Sequence, residues 1–372
     1  MSDKAINLVT LPKWGLAMQE GTIIGWHKGE GDVVAEGEAL CDIETSKITN
    51  EFESPFTGTL ARIAKPSGSV VDVGDVIAVV TDGTVDNGEI SNFLANLAGT
   101  QTKTAAVDSG PVMKQIEIEA GAIAYLETGP ADSDHAVLFL HGFGGDHANW
   151  SFLQAEVPTT RRSIAIDMPG HGASDRAVGD GSPEALADRV EAFIVALRLK
   201  RLDVVAHSLG AAVALHLCEK TQARIDTLLL IAPVGMGVRP NPLYVRGFLG
   251  AERKREMRHV MEMLFADPDM LGRTMVTEAL ALLRDVHARE ALEKIGSHLV
   301  DDALDIGEDL KFVGERPTEI VWGGADQIVP MPAELGRRLG SRLVVVGAAG
   351  HMPHVEHPTL VAKVLRDLAS FE

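Results

Sequence analysis

The sequence predicts a multidomain chain: a small all-β flattened barrel or sandwich, a linker, and a larger α/β domain with a mainly parallel sheet and a helical cap. Three observations carry that expectation. Residues 31–40, "GDVVAEGEAL", and 68–77, "GSVVDVGDVI", repeat one pattern at an offset of 37. From residue 114 onward, short apolar runs alternate with helical stretches. One Met-rich helical segment, 235–311, then interrupts the alternation.

At 372 residues the chain can bury more than one core, and 45% hydrophobic with 23% charged residues is ordinary globular composition. Lys and Arg number 34 against 53 Asp and Glu, a net charge of -19. Such a surface repels phosphate backbones and anionic lipid, so neither nucleic acid nor membrane is an expected partner. The two cysteines, Cys41 and Cys218, form no disulfide framework and no metal-spaced cluster, and no metal is expected. The start "MSDKAINLVTLPKWG" lacks the basic end and apolar run of a signal peptide, and no stretch reaches membrane-span length. A soluble, cytoplasmic protein is expected.

Each copy of the repeat reads Gly, paired valines, then Gly followed by an acid and an apolar pair. Valine-rich alternation bounded by glycines signals strands and tight turns. Two copies predict two quasi-equivalent small sheets packed on each other. Between them, "ALCDIE" and "ITNEFES" read as strands joined by the turn "TSK", which puts Lys47 at or beside a hairpin tip. A lysine at such a place is ordinarily solvated charge. Here its surroundings are specific. Residues 4 to 80 resemble the lipoyl domain of 2-oxo acid dehydrogenase complexes through "LPKWGLAMQEGTIIGWHKGEGD", "IETSK" and "SPFTGTL". Gly31 and Gly58 match the family's glycines before and after the modified lysine. The sister biotinyl family favours Met on both sides of its lysine; Ser46 and Ile48 depart from that and favour lipoate. The resemblance implies a lipoyl-binding domain over 1–83 and lipoate on Lys47 as N6-lipoyllysine, attached by a lipoate ligase.

Strand alternation stops after Gly83, and small and polar residues dominate 84–113, which reads as a flexible linker. Acyltransferases of this kind usually carry a helical subunit-binding domain there. No basic helical pair of that sort is present.

The remaining segment, 114–372, opens with "KQIEIE" and "AIAYLE", an expected antiparallel pair. The runs "AVLFLHG", "RSIAID", "LDVVAHS", "TLLLIAP", "TEIVWG" and "RLVVVG" then alternate with helices such as "PEALADRVEAFIVALRL". That pattern predicts a parallel sheet covered on both faces, with reactive residues at the carboxyl ends of its strands. "VVAHSLGAA" sets Ser208 between a strand and a helix, where a nucleophile elbow would lie. The usual form is Gly-x-Ser-x-Gly; Ala206 replaces the first Gly and Gly210 is kept. Asp326 in "VWGGADQIVP" and His351 in "VVVGAAGHMPHVEHP" each follow a later strand. The order Ser, Asp, His is that of α/β hydrolases, and 114–372 resembles that superfamily, with 235–311 as helical cap.

The scheme makes Ser208 the nucleophile, His351 the base and Asp326 its orienter. His354 and His357 are nearby competitors of His351. Two backbone donors for the oxyanion are expected from Leu209 and Phe143, while His141 and His171 read as structural.

Lipoyl-bearing chains normally end in a different acyltransferase domain with a His-x-x-x-Asp-Gly signature. The nearest approach, "HLVDDA" from His298, lacks the Gly. The whole arrangement resembles the dihydrolipoamide acetyltransferase (E2) component of bacterial acetoin-cleaving (acetoin dehydrogenase) systems. That likeness implies an acyltransferase that moves acetyl from the arm on Lys47 to coenzyme A. A thiamin-diphosphate-dependent E1 would load the arm, and a flavin-dependent dihydrolipoamide dehydrogenase, E3, would reoxidise it. Two other readings stand beside it: a thioesterase or C–C hydrolase with a lipoyl arm, and a carrier scaffold without chemistry. A complete triad argues against the scaffold.

Overall fold

The computed structural model describes residues 6–11, 20–45, 49–81, 113–301 and 315–370, and the chain divides into two compact units, Met1–Gly110 and Pro111–Glu372.

Among its described residues the first unit has eight strands: β1 (Ile6–Thr10), β2 (Glu20–Trp26), β3 (Val33–Val34), β4 (Ala39–Glu44), β5 (Thr49–Glu53), β6 (Gly58–Ile63), β7 (Val70–Asp72) and β8 (Val76–Thr81). They form two four-stranded antiparallel sheets, ordered β1-β8-β6-β3 and β5-β4-β2-β7. The sequence repeat is a structural one. Gly31 and Gly68, then Gly37 and Gly74, stand 37 apart, with φ of 98°, 87°, 82° and 89°. An L side chain rarely adopts that region, so the glycines are required by the turns they make. Gly31 N–H donates to Leu60 O at 2.8 Å, and Gly68 N–H donates to Ile23 O at 2.7 Å, the same bond made twice. Val9, Ile23, Ile43, Leu60, Ile77 and Val80 are fully buried in one core. Gly58 is needed for a different reason: a Cβ there would lie 2.6 Å from Thr81 O.

In the β4–β5 hairpin Glu44 pairs with Thr49. Ser46, Lys47 and Ile48 fall between these partners and lie outside the described residues, as does 84–112 of the expected linker.

The second unit is an eight-stranded sheet of β9 (Met113–Ile118), β10 (Gly121–Thr128), β11 (His135–Leu140), β12 (Arg162–Ile166), β13 (Arg201–His207), β14 (Arg224–Ile231), β15 (Thr318–Gly323) and β16 (Leu343–Val346). The order is β16-β15-β14-β13-β11-β12-β10-β9, antiparallel in the β9–β10 and β10–β12 pairs and parallel elsewhere. The strands are nearly continuous apolar runs because both faces are covered. Val137, Phe139, Val205, Leu229 and Val321 form one core with Trp150 and Leu153, and with Val361 and Leu365 of the helix Pro358–Ala369. The helix Pro183–Ala196 begins where it does because Ser182 accepts Ala185 N–H and Pro183 occupies the first turn.

Between β14 and β15 the chain inserts the helices Pro242–Gly250, Lys254–Met261, Arg273–Arg284 and Val286–Asp301, which pack against one another. The Met-rich stretch supplies packing: Met257 and Met261 are buried. Among the described residues no helix is long and apolar enough to cross a membrane.

Candidate active site

The centre of the second unit is the junction between β13 and the helix Leu209–Lys220. Ser208 sits there with φ 52° and ψ -116°, a conformation costing on the order of 1–3 kcal/mol. Surrounding bonds enforce it: Ser208 N–H donates to Ile231 O at 3.0 Å, and Val234 N–H donates to Ser208 O at 3.2 Å. The turn also requires the chain to pass close to β11. A Cβ on Gly210 would meet Leu140 O at 2.3 Å and His141 O at 2.6 Å. Ala206 lies in the ladder between Leu140 and Leu230, fully buried, where its methyl is accommodated.

Two loops bring the partners to Ser208. His351 Nε2 lies 3.0 Å from Ser208 Oγ, and His351 Nδ1 lies 2.8 Å from Asp326 Oδ2. Asp326 Oδ1 accepts the N–H groups of Ile328 and Val329, both at 2.8 Å. These fix the carboxylate, so its other oxygen faces the imidazole. The two loops converge because Gly323 has no side chain; a Cβ there would lie 1.8 Å from Gly350 O. Ser208 is only 5% exposed, which keeps the site nearly dry and its electrostatics strong.

The loop after β11 runs against the serine. A Cβ on Gly142 would lie 3.1 Å from Ser208 Cβ and 2.8 Å from His207 Nδ1. Phe143, the next residue, packs edge-on against Phe248 of the inserted helices, centroids 5.6 Å apart. Leu209 N–H opens the helix that follows Ser208, where the helix dipole favours negative charge. Neither N–H, of Phe143 or of Leu209, donates to a backbone carbonyl among the described residues.

The neighbouring histidines make other contacts. His141 Nδ1–H donates to Gly142 O at 2.8 Å while its Nε2 accepts Met168 N–H at 2.9 Å, so the ring shapes the turn. Burial lowers its pKa, and burial with His141 nearby lowers His171 to about 3. His354 does not reach Ser208: burial holds it down to about 3, and it stacks on Trp150 at 4.7 Å. His357 instead faces Ala348 O at 3.3 Å from the surface.

Two residues outside the sequence expectation are drawn in. His207 Nε2 donates to His351 O at 2.8 Å. Glu356 accepts backbone N–H groups from both Gly350 and Ala266. Their nearness to Ser208 and His351 in the sequence was the available signal.

A mainly parallel sheet with a buried serine on a strained strand-to-helix turn, linked through histidine to a fixed carboxylate, is the arrangement of an α/β-hydrolase-fold domain. Residues 137–364 match the alpha/beta hydrolase family, and residues 7–80 match the family described as biotin-requiring enzyme. A serine hydrolase from Cycloclasticus zankles shares the fold at TM-score 0.62 and 19% identity, over 70% of this chain and 98% of its own. The dihydrolipoyllysine-residue acetyltransferase component of the acetoin cleaving system of Pseudomonas putida is 33% identical over 94% of this chain and 95% of its own length. Its counterpart in Cupriavidus necator is 32% identical over 94% and 93%. The chain belongs to this family of acetoin-cleaving E2 components, acyltransferases that join a lipoyl domain to an α/β-hydrolase domain.

Proposed function

We propose that the chain carries lipoate on Lys47 and uses Ser208, His351 and Asp326 to pass an acetyl group from that arm to coenzyme A. The observation behind the chemistry is the chain of contacts from Ser208 Oγ to His351 at 3.0 Å and on to Asp326 at 2.8 Å. His351 Nε2 takes the Ser208 proton as Oγ attacks the thioester carbonyl. The tetrahedral oxyanion is held by the N–H groups of Leu209 and Phe143. The carbon–sulfur bond breaks, and the departing dihydrolipoyl sulfur receives the proton from His351. Coenzyme A then enters, gives its thiol proton to His351 and attacks the acyl-serine; Ser208 leaves and recovers that proton. Asp326 holds the imidazole in the Nδ1–H form and stabilises the imidazolium in both steps.

The support for Lys47 is its position between Glu44 and Thr49, the last ladder partners of a hairpin in a sheet pair of lipoyl type. A lysine so presented suits a ligase, and a long arm suits several active sites. The chain is then organised as a lipoyl domain over 1–83, a linker over 84–113 and a catalytic domain over 114–372. E1 and E3 of the same multienzyme system load and reoxidise the arm in the cytoplasm. The free thiols fit a reducing compartment: burial pushes Cys41 up to about 12 and Cys218 up to about 11.

The test is the product mixture from S-acetyldihydrolipoamide with and without coenzyme A. Acetyl-coenzyme A should outpace acetate at saturating coenzyme A, and Ser208→Ala should abolish both, a loss on the order of 10⁶. Acetate as sole product at every coenzyme A concentration would make the chain a hydrolase. Intact mass should show lipoate on the wild-type chain and none on Lys47→Arg.

A further inference from the structure

The carboxylate of Glu356 joins two elements that meet beside the site. Oε1 accepts Gly350 N–H at 2.8 Å, and Oε2 accepts Ala266 N–H at 2.7 Å. Gly350 directly precedes His351. Ala266 stands two residues after Leu264, whose carbonyl accepts His351 N–H at 2.8 Å. Residues 264–266 of the insertion are thus stitched to the 350–351 turn from both directions. The backbones are in contact there: a Cβ on Gly350 would lie 2.7 Å from both Ala266 N and Phe265 C. Burial raises the pKa of Glu356, while the N–H groups of Ala266, Gly350 and Met352 pull it down. Two acceptor oxygens facing two donors is an arrangement that only the carboxylate satisfies in full.

We infer that Glu356 is a positioning residue that holds the insertion segment 264–266 and the 350–351 turn as one body, seating the insertion and setting His351 between Ser208 and Asp326 together. The inference rests on the triad reading above. Glu356 makes no hydrogen bond to any of the three side chains; its effect passes through the backbone on either side of His351. The insertion therefore cannot lift at 264–266 without disturbing the base, and acylation is tied to a seated insertion.

The experiment uses the full chain and Glu356→Gln, whose NH2 group must confront one of the two N–H donors. The rate of Ser208 labelling by a fluorophosphonate and kcat with S-acetyldihydrolipoamide should fall, on the order of tenfold to a hundredfold. KM should stay within about twofold, because a misplaced base costs turnover rather than ground-state binding. The far-downfield His351 Nδ1 proton resonance should broaden. Wild-type rates in the variant overturn the inference, as does a rate loss that tracks a lowered Tm with the proton resonance unchanged. A second arm needs no variant: hydrogen exchange of the wild-type amides of Ala266, Gly350 and His351 should proceed through one common opening. Independent opening of Ala266 overturns the inference even if the variant fails to fold. That arm does not use Ser208, so an unreactive serine would sink the triad reading and leave the coupling to be judged by exchange.

Discussion

His207 Nε2 donates to the carbonyl oxygen of His351 across 2.8 Å, and the two rings lie 4.7 Å apart. The residue before the proposed nucleophile thus holds the backbone of the proposed base. His207→Phe keeps a flat ring and removes the donor, leaving a buried carbonyl unsatisfied at about 1–3 kcal/mol. Acylation of Ser208 should slow about tenfold, the equivalent of ~1.4 kcal/mol of lost positioning. Fluorophosphonate labelling rates beside thermal melts separate the two effects.

Asp326→Asn should cost about 10⁴ in acylation. The reason is local. Ile328 and Val329 both donate to Oδ1, so the asparagine must turn its oxygen toward them. Its NH2 then faces His351 Nδ1 and drives the ring proton to Nε2, the nitrogen that must accept from Ser208. Single-turnover kinetics with an activated ester, with folding checked by circular dichroism, measure the loss.

Acid should unfold the second unit earlier than its carboxylates alone would dictate. Burial holds His141, His171, His207 and His354 below their ordinary 6.5, with His171 and His354 at about 3. Folded-state values that are depressed mean that stability is complete above pH 6.5 and falls with pH toward 3, where the unfolded chain binds protons the folded one refuses. One unit below 6.5 the loss is on the order of 1 kcal/mol each for His171 and His354. Denaturant midpoints across this range should fall, and His354→Phe should flatten the slope.

Two alanine substitutions in the first unit should part sharply. Gly58→Ala forces a methyl against Thr81 O at 2.6 Å, whereas a Cβ on Gly25 meets nothing within 4 Å. The first should destabilise the sandwich by several kcal/mol on the scale of overpacked sites and reduce lipoylation. The second should change stability by under about 1 kcal/mol. Melting curves and intact mass of both variants decide it.

Much of this site was legible along the chain because each piece is local. Ser208 announced itself by lying between a strand run and a helical run, and Asp326 and His351 by following later strands in the expected order. The 37-residue repeat was visible because the same turn, with the same glycines, is built twice. What could not be read was contact between distant segments. Phe248 against Phe143, Leu264 against His351 and Glu356 against Ala266 depend on how the insertion settles on the sheet unit. A run of methionines and leucines at helical spacing says that a face is buried and leaves open what buries it. His207 and His354 belong to the same class, since a histidine beside a motif carries no mark of the ring it stacks on.

The doubled sandwich also has a mechanical meaning. Ile6 lies opposite Thr81 at one corner as Glu44 lies opposite Thr49 at the other. The corner that matches the lysine's hairpin is therefore the one where the chain enters and departs. A pull on the chain beyond Thr81 is borne first by the pairing of β8 with β1 and β6, while the β4–β5 ladder belongs to the other sheet and shares none of those bonds.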